Sequence, residues 1–343
     1  MVMLGSIPSP SFNAIELGPL NLNLYGLMIA LGVVAAVWLF GRRLEERRIG
    51  SRDDASSIAV WTVLAGVMGA RLYHVATDWD RFTDDWSKIP AIWGGGLGIP
   101  GGLLLGGLVG VYVTRRRGIP IAAALTCAAP AVPLAQAIGR WGNYFNQELY
   151  GRPTDLPWAV RIDPEHFDTT LYAVGTTFHP TFLYESLWSL GLCLLLLWID
   201  KRIRPAPGQL FVMYVIGYGL GRFWVEGIRI DKADQLGGLR WNQWVALAAV
   251  VIGVIVLLWM RRHPIPEPEP AVAVVDVETQ DDLDDADDGV GAEDLGAVDE
   301  VHDLDDVHDV DDLHDLDEVH DLDDLHDAEG VADLERLDGP TDD

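Results

Sequence analysis

Three arginines stand inside stretches that are otherwise apolar enough to cross a membrane: Arg71, Arg140 and Arg222. A charged side chain in hydrocarbon costs roughly 2.5–3.5 kcal/mol on insertion scales, so each guanidinium needs a partner or a purpose. Each lies close to the end of an even-numbered apolar stretch, which predicts that all three sit at one depth on one side of a bilayer. Guanidiniums gathered at one depth suit an anion, and the abundant anion of a membrane is lipid phosphate.

Arg140 belongs to the densest motif, Gly139-Arg140-Trp141-Gly142-Asn143-Tyr144-Phe145-Asn146-Gln147-Glu148-Leu149-Tyr150-Gly151-Arg152. Its glycines let a backbone or a ligand approach closely. Arg140 can fork onto a phosphate, and Asn143 and Asn146 offer amide donors beside it. An arginine snorkelling to the interface next to a packing glycine is the plainer reading. It leaves the two asparagines and Glu148 without a reason. A second motif, Tyr218-Gly219-Leu220-Gly221-Arg222-Phe223-Trp224-Val225-Glu226, sets Glu226 one helical turn beyond Arg222 on the same face. An Arg–Glu pair that ties helices together is the alternative there. Gly217, Gly219 and Gly221 are not a dinucleotide loop, because no strand precedes them. The third motif, His179-Pro180-Thr181-Phe182-Leu183-Tyr184-Glu185, opens an apolar stretch, and an interfacial His with Tyr is as often structural as chemical.

The elements that must position these residues are seven apolar stretches, near residues 22–40, 56–76, 93–113, 121–144, 180–199, 209–227 and 241–260. Each approaches the roughly 20 residues that a spanning helix needs, and the expected fold is an all-α integral membrane protein of seven transmembrane helices. Basic residues alternate between the connections. Arg42, Arg43, Arg47, Arg48 and Arg52 follow the first stretch, Arg115 to Arg117 the third, Lys201, Arg202 and Arg204 the fifth, and Arg261 and Arg262 the seventh. Positive charge stays in the cytoplasm, so the N-terminus is expected outside and the C-terminus inside. Tyr25, His179, Tyr184 and Glu185 then fall near the outer face with the three arginines. The loop 145–178 is long enough to expect a function and is read as a cap over the outer mouth.

The formal charge of -28 misleads until the chain is divided. Residues 1–263 carry 23 basic and 19 acidic residues, whereas 264–343 carry 33 acidic residues and a single base, Arg336. From Val301 to His326 the tail repeats a hexapeptide with His302, His308, His314, His320 and His326 spaced by six. That period suits neither a helix face nor a coiled coil, and so charged a composition predicts a disordered cytoplasmic tail. Weak capture of divalent cations by the repeats is the alternative. The only cysteines, Cys127 and Cys193, lie in apolar stretches and read as buried structural thiols rather than a disulfide framework or zinc site. No basic segment followed by a short apolar run and a small-residue cleavage site begins the chain, so no cleaved signal peptide is expected.

The segment Gly139 to Gly151, together with Tyr25-Gly26-Leu27-Met28, His179-Pro180 with Leu183-Tyr184-Glu185, and Tyr218 with Arg222 and Glu226, resembles the bacterial prolipoprotein diacylglyceryl transferases. The resemblance runs from about residue 20 to about residue 260, with the motifs in the family's order, and leaves the acidic tail outside. It implies transfer of the diacylglyceryl group of phosphatidylglycerol to the lipobox cysteine of a secreted preprotein, still bearing its signal peptide, at the extracytoplasmic face of the cell membrane. A thioether forms and glycerol phosphate leaves. By match to the family's motifs Arg140 would bind phosphatidylglycerol, and Tyr25, Asn143, Glu148, Gly151, Tyr218, Arg222 and Glu226 would complete the site, with Asn146 beside them. No metal, nucleotide, nucleic acid or other cofactor is expected.

One position departs from the family. Many members carry a His directly before Gly-Gly after a Trp-x-Gly-Gly stretch, and Trp93-Gly94-Gly95-Gly96-Leu97-Gly98-Ile99-Pro100-Gly101-Gly102 has Pro100 there. If a base activates the cysteine, His179 and Glu226 are the nearest candidates. A transporter or flippase for an anionic lipid would use the same arginines, but transporters show repeated halves and polar groups near the midplane. A membrane scaffold is the third reading, and it leaves the arginines without a purpose.

Overall fold

The computed structural model describes residues 6–17, 20–83, 85–91 and 95–266. The acidic repeats and Trp93-Gly94 lie outside the described residues. Among the described residues, seven long helices occupy the places of the seven apolar stretches: α1 (Leu24–Glu46), α2 (Arg52–Thr77), α3 (Ile99–Arg116), α4 (Ile121–Gly139), α6 (Thr181–Ile203), α7 (Gln209–Glu226) and α8 (Trp241–Arg262). A short α5 (Trp141–Phe145) continues α4 through Arg140, which keeps helical dihedrals. By length and composition α1, α2, α4 with α5, α6 and α8 are apolar enough to cross a membrane. The protein is therefore a helical membrane protein.

Local chemistry sets the helix ends. Asn23 caps α1 by accepting from the Tyr25 N–H at 2.8 Å. Ser51 and Asp54 form a capping box at the start of α2, satisfying donors that the first turn leaves unpaired. α1 runs six residues past the predicted end, because Arg43 is drawn into the bundle: it donates to the Cys127 carbonyl at 3.1 Å and pairs with Asp200 at 2.9 Å. Arg47 joins the same Asp200 at 2.6 Å. The basic ends of α1 and α6 and the start of α4 are thus tied together. α3 starts six residues later than predicted, since Gly95 and Gly96 hold φ of +83° and +78° and cannot belong to a helix.

Small residues dominate the helix contacts. α2 and α3 meet where a Cβ on Gly101 would lie 2.2 Å from the Gly69 carbonyl oxygen. Ala124, Cys127, Ala129 and Ala131 of α4 pack into three of the core clusters. Large apolar side chains point outward instead, Leu103 of α3 being 73% exposed and Ile255 of α8 61%. A surface of that kind suits hydrocarbon and not water.

Among the described residues, three two-stranded hairpins interrupt the all-α expectation: β1 (Ala14–Leu17) with β2 (Leu20–Asn23), β3 (Val160–Arg161) with β4 (Thr177–Phe178), and β5 (Gln235–Leu236) with β6 (Leu239–Arg240). The second belongs to the long connection 145–178, which has its own core of Val160, Ile162 and Phe178 closed by Phe182 of α6. The N-terminal segment joins it, with the Ile7 N–H donating to the Ala159 carbonyl and the Arg161 N–H to the Ile7 carbonyl.

Candidate active site

The predicted trio of arginines divides. Arg71 is only 8% exposed and spends its donors on backbone, bonding the carbonyls of Lys88, Ile89, Gly95 and Gly96 at 2.6–2.9 Å, with the Phe82 ring 5.3 Å away. It organises the turn before α3 and is not among the residues lining the pocket of Arg140 and Arg222. Of the three guanidiniums expected at one site, two line that pocket. Helical spacing gives depth but not direction around the bundle, and Arg71 turns toward α3.

Arg140 and Arg222 converge from α4 and α7 onto one carboxylate, Glu185 in the second turn of α6. Arg140 pairs through Nε with Glu185 Oε2, and Arg222 Nη1 lies 3.3 Å from Glu185 Oε1. The pocket they line adds Gln136, Trp188, Ser189, Tyr218, Gly221 and Val225. Trp188 reaches it because Gly221 leaves a notch: a Cβ there would lie 2.2 Å from the indole nitrogen, which instead donates to the Gly217 carbonyl at 2.9 Å. Tyr218 presents its ring to the same space, 6.1 Å from Tyr214, whose hydroxyl accepts from Gln136.

Glu226, fully buried, holds Arg222 from the other side at 2.6 Å. Its second oxygen takes Arg240 at 3.0 Å and the Asn242 amide at 3.2 Å. Arg240 reaches it from the start of α8 and also pairs with Asp231 at 2.8 Å. Burial raises the pKa of Asp231, but hydrogen bonds and charge from Arg229 and Arg240 outweigh it and leave the carboxyl below its ordinary value. Both Glu226 oxygens lie at ion-pair distance from a cation, Oε2 from Arg222 and Oε1 from Arg240, although among the described residues Oε2 makes no hydrogen bond.

The turn after Arg140 gathers the other polar residues. Arg140 Nη1 lies 3.4 Å from Asn143 Oδ1, the Asn143 amide donates to Glu148 at 2.8 Å, and Asn146 approaches the same oxygen at 3.4 Å. Tyr25, in the first turn of α1, packs on Gly142, where a Cβ would fall 2.7 Å from its ring. Gly151 is a close-packing position: its N–H donates to the His179 carbonyl, and a Cβ would press on Ile228, His179 and Thr181 at 2.8–3.2 Å. His179 is not among the pocket's lining residues. Its Nδ1 lies 3.0 Å from the Tyr184 hydroxyl, which also accepts from Trp158. Burial, and then the charge of Arg152, hold the His179 pKa below the ordinary imidazole value. Beside the turn that leads into α3 lies another imidazole, His74, paired with Asp78 at 2.9 Å and set against Gly96.

Sequence reasoning left Glu185 and Arg240 out of the site. Glu185 carried a signal, an acid inside an apolar stretch, but its two partners stand on other helices. Arg240 sits in a connection and had none.

Helices apolar enough to cross a membrane, with two guanidiniums lining a pocket among them, define a helical membrane protein. The match to known proteins is specific. The family model described as "Prolipoprotein diacylglyceryl transferase" matches residues 13–259, and the chain belongs to that family. Among its relatives, the phosphatidylglycerol–prolipoprotein diacylglyceryl transferase of Streptomyces griseus is 46% identical over 260 residues, covering 74% of this chain and 78% of that protein. The first such transferase of Streptomyces coelicolor is 47% identical over 266 residues, 76% of each chain. That of Synechococcus elongatus is 43% identical over 257 residues, 74% of this chain and 88% of the other.

Proposed function

We propose that this protein transfers the diacylglyceryl group of phosphatidylglycerol to the cysteine thiol of a prolipoprotein, and that Arg140 and Arg222 hold the lipid phosphate while it does so. Family membership and the names of the relatives support the reaction. One observation carries the site: two guanidiniums from different helices meet on a single anion inside the apolar body.

The chemistry follows from that clamp. The thiolate attacks the glycerol carbon that bears the phosphate ester, the carbon–oxygen bond breaks, and a carbon–sulfur bond forms. Glycerol phosphate departs with the electron pair, and the thiol proton passes to it or to water. Negative charge grows on the phosphate oxygens as the bond breaks. Guanidiniums already fixed by Glu226, Arg240 and Asn143 stabilise that charge without having to reorganise. Asn143, Asn146 and Glu148 suit the glycerol headgroup, Tyr25 and Gly151 hold the wall, and Tyr218 lines the path. A thiol of pKa about 8.5 is already a few per cent ionised at neutral pH, and guanidiniums nearby increase that fraction. Pro100 at the family's His position is then no obstacle.

The membrane arrangement is part of the proposal. Seven spans, an outer N-terminus and a cytoplasmic C-terminus are supported by the basic segments clustering at one set of helix ends, where Arg43, Arg47 and Asp200 are tied. Arg140, Glu185, Arg222 and the hairpins lie at the other ends. The pocket then opens toward the extracytoplasmic leaflet of a bacterial cell membrane, with residues 145–178 as its cap. The test uses purified protein, phosphatidylglycerol vesicles and a lipobox peptide. A transferase adds one diacylglyceryl mass to the peptide and leaves its Cys→Ser counterpart unmodified. A flippase would move lipid between leaflets with no modified peptide, and a scaffold would do neither.

A further inference from the structure

The anion between the two arginines belongs to the protein itself. Glu185 gives one oxygen to Arg140 and the other to Arg222. The non-bridging oxygens of a phosphodiester also share one negative charge between two acceptors, so both groups compete for the same pair of guanidiniums. The two acids around Arg222 are anchored differently. Glu226 is fully buried and held by Arg240 and Asn242 as well as Arg222. Among the described residues, Glu185 has no hydrogen bond or ion pair beyond the two arginines that it neutralises. Its side chain lines the pocket between the two arginines.

We propose that Glu185 is an internal occupant of the phosphate site. The lipid phosphodiester displaces it on binding, and it returns as the product leaves. The proposal rests on the reading that Arg140 and Arg222 bind the lipid phosphate. When the pocket is empty, Glu185 supplies the carboxylate that neutralises Arg140 and shares Arg222 with Glu226, so that neither positive charge is left uncompensated in a low-dielectric interior. When the pocket is full, its carboxylate stands beside the bound phosphate. The substrate diester carries one negative charge, whereas the product monoester carries about 1.5–2 at neutral pH, as phosphate monoesters with a second pKa near 6 do. Repulsion from Glu185 therefore weighs more on the product and favours its release.

The experiment measures inhibition of the purified full-length protein by added glycerol phosphate, with phosphatidylglycerol micelles and a lipobox peptide as substrates. In Glu185→Gln the inhibition constant for glycerol phosphate should fall by about tenfold or more, one unit of charge competition being worth that order. The KM for phosphatidylglycerol should fall less, and kcat should drop as release slows. Glu185→Asp, whose shorter arm reaches one guanidinium, should lie between. An inhibition constant unchanged or raised in Glu185→Gln would overturn the proposal while leaving the phosphate clamp standing. Absence of inhibition in the unmodified protein, with normal transfer by Arg140→Ala, would instead remove the clamp. Should neither Glu185 variant yield folded protein, Glu185 is a strut of the bundle and the proposal fails.

Discussion

A buried arginine is informative through what it spends its donors on. Arg71 bonds backbone carbonyls and Arg240 lies between two acids, whereas Arg140 and Arg222 share a carboxylate that lines a pocket. Arg140→Ala and Arg222→Ala should each lower turnover by on the order of 10²–10³, the usual effect of losing one preorganised donor to a developing oxyanion. Arg140→Lys should recover little, since an ammonium cannot make the forked contact. Transfer rates on protein that elutes normally from a sizing column decide this, and near-normal turnover by an Ala variant would remove that residue from the mechanism. His179 gives a second test. Its lowered pKa makes it neutral at pH 7. Because the folded state resists protonating it, its contribution to stability is present above the ordinary His pKa and is lost as pH falls below about 6.5. Rate should rise toward pH 8 with thiolate availability and show no step below about 6.5, where burial and Arg152 put the titration of His179. A step there that vanishes in His179→Gln would make His179 the base. The motifs around Arg140, Asn143, Glu148, Arg222 and Glu226 were legible from residue type and helical spacing. The Glu185 bridge was not, because it joins three helices and no local spacing encodes it.

At the scale of elements, the apolar stretches located the long helices to within a few residues, except where Arg43 extended α1 and Gly95 and Gly96 delayed α3. Sequence periodicity could not show the hairpins, whose paired segments are two to four residues long. Nor could it show that Ile7 pairs with Val160, a contact across the whole first half of the bundle. The α2–α3 seam yields an element-scale prediction. Gly101→Ala puts a methyl 2.2 Å from the Gly69 oxygen and 2.4 Å from Tyr73 Cβ. The helices must part, at a cost of about 1–3 kcal/mol for an overpacked contact. The neighbouring Pro100 lies in the first turn of α3, where a helix has unpaired N–H groups in any case. Pro100→Ala should therefore keep both its thermal midpoint in detergent and most of its transfer activity, whereas Gly101→Ala should melt several degrees lower. Equal melting of the two variants would show that the seam tolerates side chains.

For the whole molecule, the sequence divides into a membrane body and an acidic segment with unlike compositions, and the family match ends at residue 259. Deleting residues 270–343 should leave specific activity in detergent within about twofold, because the family match ends before them. A large loss in a well-folded truncation would show that the division is wrong. In the proposed reaction one pocket couples phosphate departure to thioether formation. The most direct test is to follow both products from phosphatidylglycerol and a lipobox peptide by mass spectrometry, in the unmodified protein and in Arg140→Ala. Glycerol phosphate and diacylglyceryl peptide should appear in equal amounts and at equal rates, and both should nearly vanish together in the variant. Peptide modified without release of glycerol phosphate, or both products formed undiminished by Arg140→Ala, would contradict it.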